Sequence, residues 1–122
     1  MSAAPHLALG RAAEAAAARH LERAGYRILT ANFRAKGGEL DLVAMDGTAL
    51  AIIEVRYRAS DRFGSAAASI TAGKRSRIIR AARALLATNP PLAKLAARFD
   101  VVEVSGSSDS FDCHLIRGAF SL

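Results

Sequence analysis

Residues 38–57 read GELDLVAMDGTALAIIEVRY, and this stretch decides the fold. Two apolar runs, Leu40 to Met45 and Leu50 to Tyr57, flank Asp46-Gly47, a dipeptide that tolerates the positive φ angles of a tight hairpin turn. Both runs carry apolar residues at successive positions, so both faces of the hairpin are covered and its strands are interior. Upstream, Tyr26 to Phe33 (YRILTANF) reads as a strand that ends in the polar, glycine-bearing stretch Arg34 to Gly38. Before it lies an alanine-rich helix, Leu7 to Ala24, closed by Gly25, with Leu7, Gly10, Ala17, Ala18 and Leu21 on one stripe. Downstream, a polar connection from Arg58 to Ser65 leads to a helix over about Thr71 to Ala87, ended by Asn89-Pro90-Pro91. Ile78, Ala81 and Leu85 form its apolar stripe. Phe99 to Val104 and Phe111 to Ile116 then read as strands about a turn at Gly106 to Ser110. A helical crossover between Tyr57 and Phe99 sets the next strand parallel to the hairpin's second strand. The predicted fold class is α/β: one domain, a mixed sheet covered by helices.

Composition narrows the function classes. The chain has 122 residues, Lys+Arg 17 against Asp+Glu 11, and a net charge of +6, an excess that favours a polyanionic partner. Aromatic residues are 6% with no Trp, which argues against a base-stacking platform for single strands. One cysteine, Cys113, excludes a disulfide framework and a structural zinc cluster. With no apolar run of membrane-spanning length and no leader-like start, the expected setting is the cytoplasm, without a membrane partner. His6, His20 and His114 show no ligand spacing with one another.

The chemistry-bearing residues gather on the hairpin. Glu39 and Asp41 are two apart, as are Glu54 and Arg56, so each pair shares a strand face. A loop of Asp46-Gly47 alone sets Glu39 opposite Glu54; a four-residue loop sets Asp41 opposite Glu54. Either even-length loop places all four charges on one face. Three carboxylates at close range repel unless compensated, and a divalent cation with oxygen ligands, Mg²⁺ or Mn²⁺, is one compensation. A strand-end salt-bridge network built on Arg56 is the other. Glu14 sits mid-stripe on the first helix and Lys74 on the stripe of the second, so both are predicted to point toward the sheet and Glu54. Arg34, Lys36, Arg58, Arg62, Arg75, Arg80 and Arg83 supply a candidate phosphate track.

In order along the chain stand Gly10-Arg11-x-x-Glu14, Gly25-Tyr26, Asn32-Phe33-Arg34, Gly38-Glu39-Leu40-Asp41-Leu42, Glu54-Val55-Arg56, Lys74 and Arg98-Phe99-Asp100-Val101-Val102. This set closely resembles the YraN-like family of small bacterial proteins, which is similar in turn to archaeal Holliday-junction resolvases and the wider PD-(D/E)xK nuclease superfamily. The resemblance implies a restriction-endonuclease-like αβββαβ core. It further implies Asp41 and Glu54 as ligands of Mg²⁺ or Mn²⁺, Glu14 as an auxiliary metal ligand, and Lys74 as a polar site position. The substrate it implies is structured or branched DNA, cut by a homodimer.

Arg56 departs from that pattern, standing where the superfamily usually has lysine. Arginine stays protonated and stabilises charge, whereas lysine can lower its pKa and position or deprotonate the attacking water. Hydrolysis would then draw on the metal, or on Glu39 as a base. Two other readings remain open: a nucleic-acid-binding repair accessory with a degenerate site, and a protein-interaction scaffold with incidental basic charge.

Overall fold

The computed structural model of the chain describes residues 5–58, 70–107 and 109–120, with side chains from residue 9 onward. The polar connection after Arg58, Arg62 with it, lies outside these residues.

Helix α1 (Pro5–Arg23) leads into strands β1 (Arg27–Ala35), β2 (Gly38–Asp46) and β3 (Ala49–Arg58). Helix α2 (Ala72–Thr88) crosses over, the one-turn α3 (Pro90–Ala93) follows, and β4 (Ala97–Ser107) and β5 (Ser110–Phe120) complete the chain. The five strands lie in sequence order, all neighbours antiparallel except β3 and β4, which run parallel across the α2 crossover. That is the mixed sheet expected. Both final strands run longer than their apolar cores indicated, because pairing continues through the Ser107↔Ser110 turn.

One helix covers each face. Leu40, Val43, Leu50, Ile52, Phe99 and Val101 pack beneath Ile78, Ala81, Ala82 and Leu85 of α2. On the other face Leu42, Ala44, Ala51, Ile53, Val102 and Val104 meet Ala13, Ala17 and Leu21 of α1. Each fully buried Leu, Ile or Val contributes about 1.5–3 kcal/mol, so the two clusters hold the sheet between the helices. Alanines let α1 approach closely. Its buried stripe centres on Ala13, Ala17 and Leu21, which leaves Glu14 half-buried at the rim and not mid-stripe as predicted. Thr71 caps α2, its hydroxyl accepting from the Lys74 amide at 3.1 Å.

The tight turn settles the register. Asp46 pairs with Ala49 and Met45 with Leu50, so of the two even registers the chain takes the one that brings Asp41 toward Glu54. Pairing between β2 and β3 runs only to Leu42↔Ile53. There the strict alternation fails: Leu40 and Val43 pack on the α2 side while Leu42 packs on the α1 side. Across from Asp41, Asn32 takes a positive φ of 54°. Asn tolerates this conformation better than most residues. A kink thus crosses β1 and β2 where the hairpin strands part, and Asp41 stands in the opening.

Candidate metal and nucleic-acid site

Four elements converge on the opening. Asp41 is half-buried, and its Oδ2 accepts the Val55 amide at 2.8 Å, replacing the ladder bond lost where β2 leaves β3. One residue back, Glu54 is 5% exposed, and its Oε2 lies 3.1 Å from Lys74 Nζ on the first turn of α2. Burial, and then hydrogen bonding to and the charge of Asp41, push the Glu54 carboxyl up to about 8. Lys74 opposes that shift without cancelling it. The one partly exposed ammonium in contact with Glu54 therefore does not offset its burial and the nearby Asp41 charge.

Glu14 reaches the same neighbourhood from α1. Its carboxyl is raised first by burial and next by Asp41, with a side-chain hydrogen bond to Asn32 acting against both. The residue that kinks β1 therefore also holds Glu14. Glu39 is separated from the pair by the broken alternation; it is exposed and 3.8 Å from Arg34. Arg56 is half-buried on β3, beside Glu103 of β4 in the parallel register. The structure thus joins Asp41, Glu54 and Lys74, sets Glu14 at their margin, and moves Glu39 outward.

Among the described residues, no group of three or more His, Cys, Asp or Glu side chains converges as a ready-made metal cage. The donor set to be weighed is the Asp41–Glu54 pair. Mg²⁺ typically takes one or two protein carboxylates and fills the rest of its shell with water and phosphate oxygens. A charge-deficient carboxylate pair at a strand opening fits that demand.

Three features were missed at the sequence level. Glu103 is fully buried on the α2 side; its Oε1 lies 3.4 Å from Arg58 Nε, and among the described residues neither carboxylate oxygen has a hydrogen-bond partner. Only the parallel register, which sets Arg58 beside Ser105, brings that pair together. Arg77 is the second. With Arg34, Ala35, Gly38, Glu39, Lys74 and Ile78 it lines a cleft of about 460 Å³ that opens beside Lys74. Its position outside the apolar stripe was the available signal. The third is Tyr26, whose hydroxyl donates to Asp100 at 2.8 Å.

The other cations of the candidate track divide by location. Arg34 and Lys36 flank the β1–β2 turn, and Arg80 packs against Gly37 of that turn. Arg75 lies 5.4 Å from the Phe120 ring centre and is half-buried, while Arg83 is exposed farther along α2. Arg58 ends β3, paired with Glu103. At the opposite end of the sheet, Arg98 grips Asp100 through Nε at 2.7 Å and Nη2 at 2.9 Å, and reaches Asp46 at 2.7 Å. Hydrogen bonding to Asp100 is the largest cause that raises Arg98, and the hydrogen bond from Arg98 is the largest that lowers Asp46. It serves the fold.

The model of the family described as uncharacterised protein family UPF0102 matches residues 13–104. A UPF0102 protein of Xanthomonas campestris is 50% identical over 113 residues, which cover 93% of this chain and 91% of the relative. Another, of Xylella fastidiosa, is 48% identical over 113 residues, covering 93% and 92%. The matched span contains Glu14, Asp41, Glu54, Arg56, Lys74 and Glu103.

Proposed function

The chain belongs to the UPF0102 family, and from that premise we propose that it is a metal-dependent endonuclease-fold protein that hydrolyses phosphodiesters in structured or branched DNA. The observation that carries the reading is the Asp41–Glu54 pair: two carboxyl groups brought together where β2 and β3 part, with Glu54 raised to about 8 and Lys74 at 3.1 Å. Burying such a pair costs stability unless the site serves a ligand that supplies positive charge. Kinship with Holliday-junction resolvases, suggested by the motif order, belongs to this proposal.

Asp41 and Glu54 would hold Mg²⁺ or Mn²⁺, with Glu14 close enough in charge to strengthen the site. When bound, the ion supplies a nucleophilic water at neutral pH and neutralises charge on the phosphate. The chain's own residues do the rest. The Val55 amide fixes one oxygen of Asp41 and so holds the carboxylate beside Glu54. Lys74, tethered by the Glu54 carboxylate at the start of α2, is positioned to share the charge of a phosphate oxygen. Arg56 acts as a fixed cation, since a guanidinium keeps its proton at any physiological pH. Arg34, Lys36, Arg58, Arg75, Arg80 and Arg83 would guide the backbone, an attraction that weakens with salt. A chain of this size grips one duplex, so action on a junction calls for two copies.

The second reading is a DNA-binding accessory without turnover. Arg56 favours it, together with the Lys74 ammonium occupying the Glu54 oxygen that a metal would use. Titration with Mn²⁺, followed by calorimetry on wild type and Asp41→Asn, separates the two. The endonuclease reading requires binding in wild type that drops at least tenfold in the variant. Junction DNA bound equally well with no metal uptake would hand the protein to the accessory reading.

A further inference from the structure

A cleft of about 460 Å³ opens beside Lys74, and the carboxylate pair alone does not account for it. It is bounded by Arg34 of β1, by Lys74, Arg77 and Ile78 of α2, and by Gly38 and Glu39 of β2. Its shape depends on glycine: a Cβ on residue 38 would collide with the Arg77 carbonyl oxygen and stand 3.2 Å from the Ala81 Cβ. Because Gly38 has none, α2 seats its backbone directly on β2, which fixes where residue 77 leaves the helix. Among the described residues, the cleft has a cationic rim, an apolar floor at Ala35 with the almost fully buried Ile78 beneath it, and one acid, Glu39, paired at 3.8 Å with Arg34.

From these features we infer that the cleft seats one nucleotide of an unpaired strand. Its phosphate lies between Arg77 and Lys74, and its sugar and base lie over Ala35 and Ile78. The inference rests on the proposed nucleic-acid function and specifies the substrate class. A volume of about 460 Å³ holds a nucleotide-sized ligand, within the usual ~300–1,000 Å³ of small-ligand sites. A base-paired duplex turns its bases inward and can offer such a cleft only phosphates, leaving the apolar floor uncovered. Glu39 repels a second phosphate from the Arg34 end and offers an acceptor to a base N–H, which sets the polarity of the nucleotide. Lys74 is shared with Glu54, so the seated phosphate lies next to the carboxylate pair. Cleavage would then fall next to an unpaired nucleotide, as at a flap, a strand end or the crossover of a junction. The absence of tryptophan does not oppose this, because the cleft grips a single nucleotide at its edge and needs no stacked run.

The test is fluorescence anisotropy with a labelled single-stranded oligonucleotide and the blunt duplex of the same sequence, both in EDTA so that nothing is cut. Wild type, Arg77→Ala, Arg77→Lys and, as a control away from the cleft, Lys94→Ala are compared over a salt series. The cleft predicts tighter binding of the single strand by wild type. It predicts at least a tenfold loss of single-strand affinity in Arg77→Ala, with the salt slope shallower by about 0.7. Arg77→Lys regains most of that affinity and Lys94→Ala changes neither form. Equal losses on single strand and duplex in Arg77→Ala, or no loss, overturn the cleft and leave the wider reading standing. Wild type that binds neither form brings down the nucleic-acid function itself.

Discussion

At the scale of single residues, Glu54 gives the sharpest prediction. Its carboxyl ordinarily titrates near 4.5 and in the folded chain near 8, so between those values the folded state holds a proton that the unfolded chain has released. The stability it contributes is complete below about 4.5 and is lost as pH rises through about 8. A thermal melt without metal should therefore fall in Tm from pH 5 to pH 9. Glu54→Gln, neutral throughout, should flatten that dependence, and Mg²⁺ should raise the wild-type Tm most at the alkaline end. A wild-type curve no steeper than the variant's would contradict the buried pair. Arg56→Lys is the companion case: a lysine in its neutral form can take a proton from the attacking water, which an arginine cannot, so cleavage should speed up severalfold with little change in DNA affinity. The candidate site was largely legible at this scale, because Asp41, Glu54 and Lys74 each break an apolar pattern. Glu39 was placed on one face with Asp41 because two-residue spacing was carried through a strand that kinks there, as the broken alternation at Leu40, Leu42 and Val43 and the φ of 54° at Asn32 show.

At the scale of elements, the helices are fixed to the sheet by a few close contacts. Gly38→Ala forces α2 away from β2, since the added methyl meets a helix carbonyl that cannot swing aside. We expect a loss of 2 kcal/mol or more by urea unfolding, in the range of overpacking at rigid contacts, roughly 1–3 kcal/mol or higher. The other fastening is Asp100, fully buried, which accepts from Tyr26, Arg98 and the Gly118 amide at 2.9 Å and so ties the end of α1, the start of β4 and β5 together. Tyr26→Phe should cost about 1.5–3 kcal/mol, the worth of a hydrogen bond to a charged group, and leave DNA binding unchanged. Equal stability of wild type and Tyr26→Phe would show the lock to be idle. The order of elements and the parallel crossover were readable from the apolar runs and from Asp46-Gly47. The Tyr26–Asp100 lock was not, because it joins residues 74 apart in sequence that no local spacing relates.

At the scale of the whole molecule, the net charge of +6 resolves into two regions. Acids that meet one another sit inside the opening between β2 and β3, and cations stand around it on the β1–β2 turn and along α2. Sequence alone supplied that charge balance and the strand pairing; it could not supply the cleft, which exists because the Gly38 backbone meets α2. Nor could it reveal the burial of Glu103, which follows from the parallel pairing of β3 with β4. The central claim is that this arrangement cuts DNA at Asp41 and Glu54. The most direct measurement is cleavage of labelled four-way-junction, single-stranded and linear duplex DNA in Mg²⁺ or Mn²⁺ by wild type and by Asp41→Asn. The account predicts metal-dependent cuts by wild type on the substrates with unpaired or branched strands, and at least a hundredfold loss in Asp41→Asn. Cleavage that survives Asp41→Asn, or tight binding by wild type with no cleavage in either metal, would contradict it.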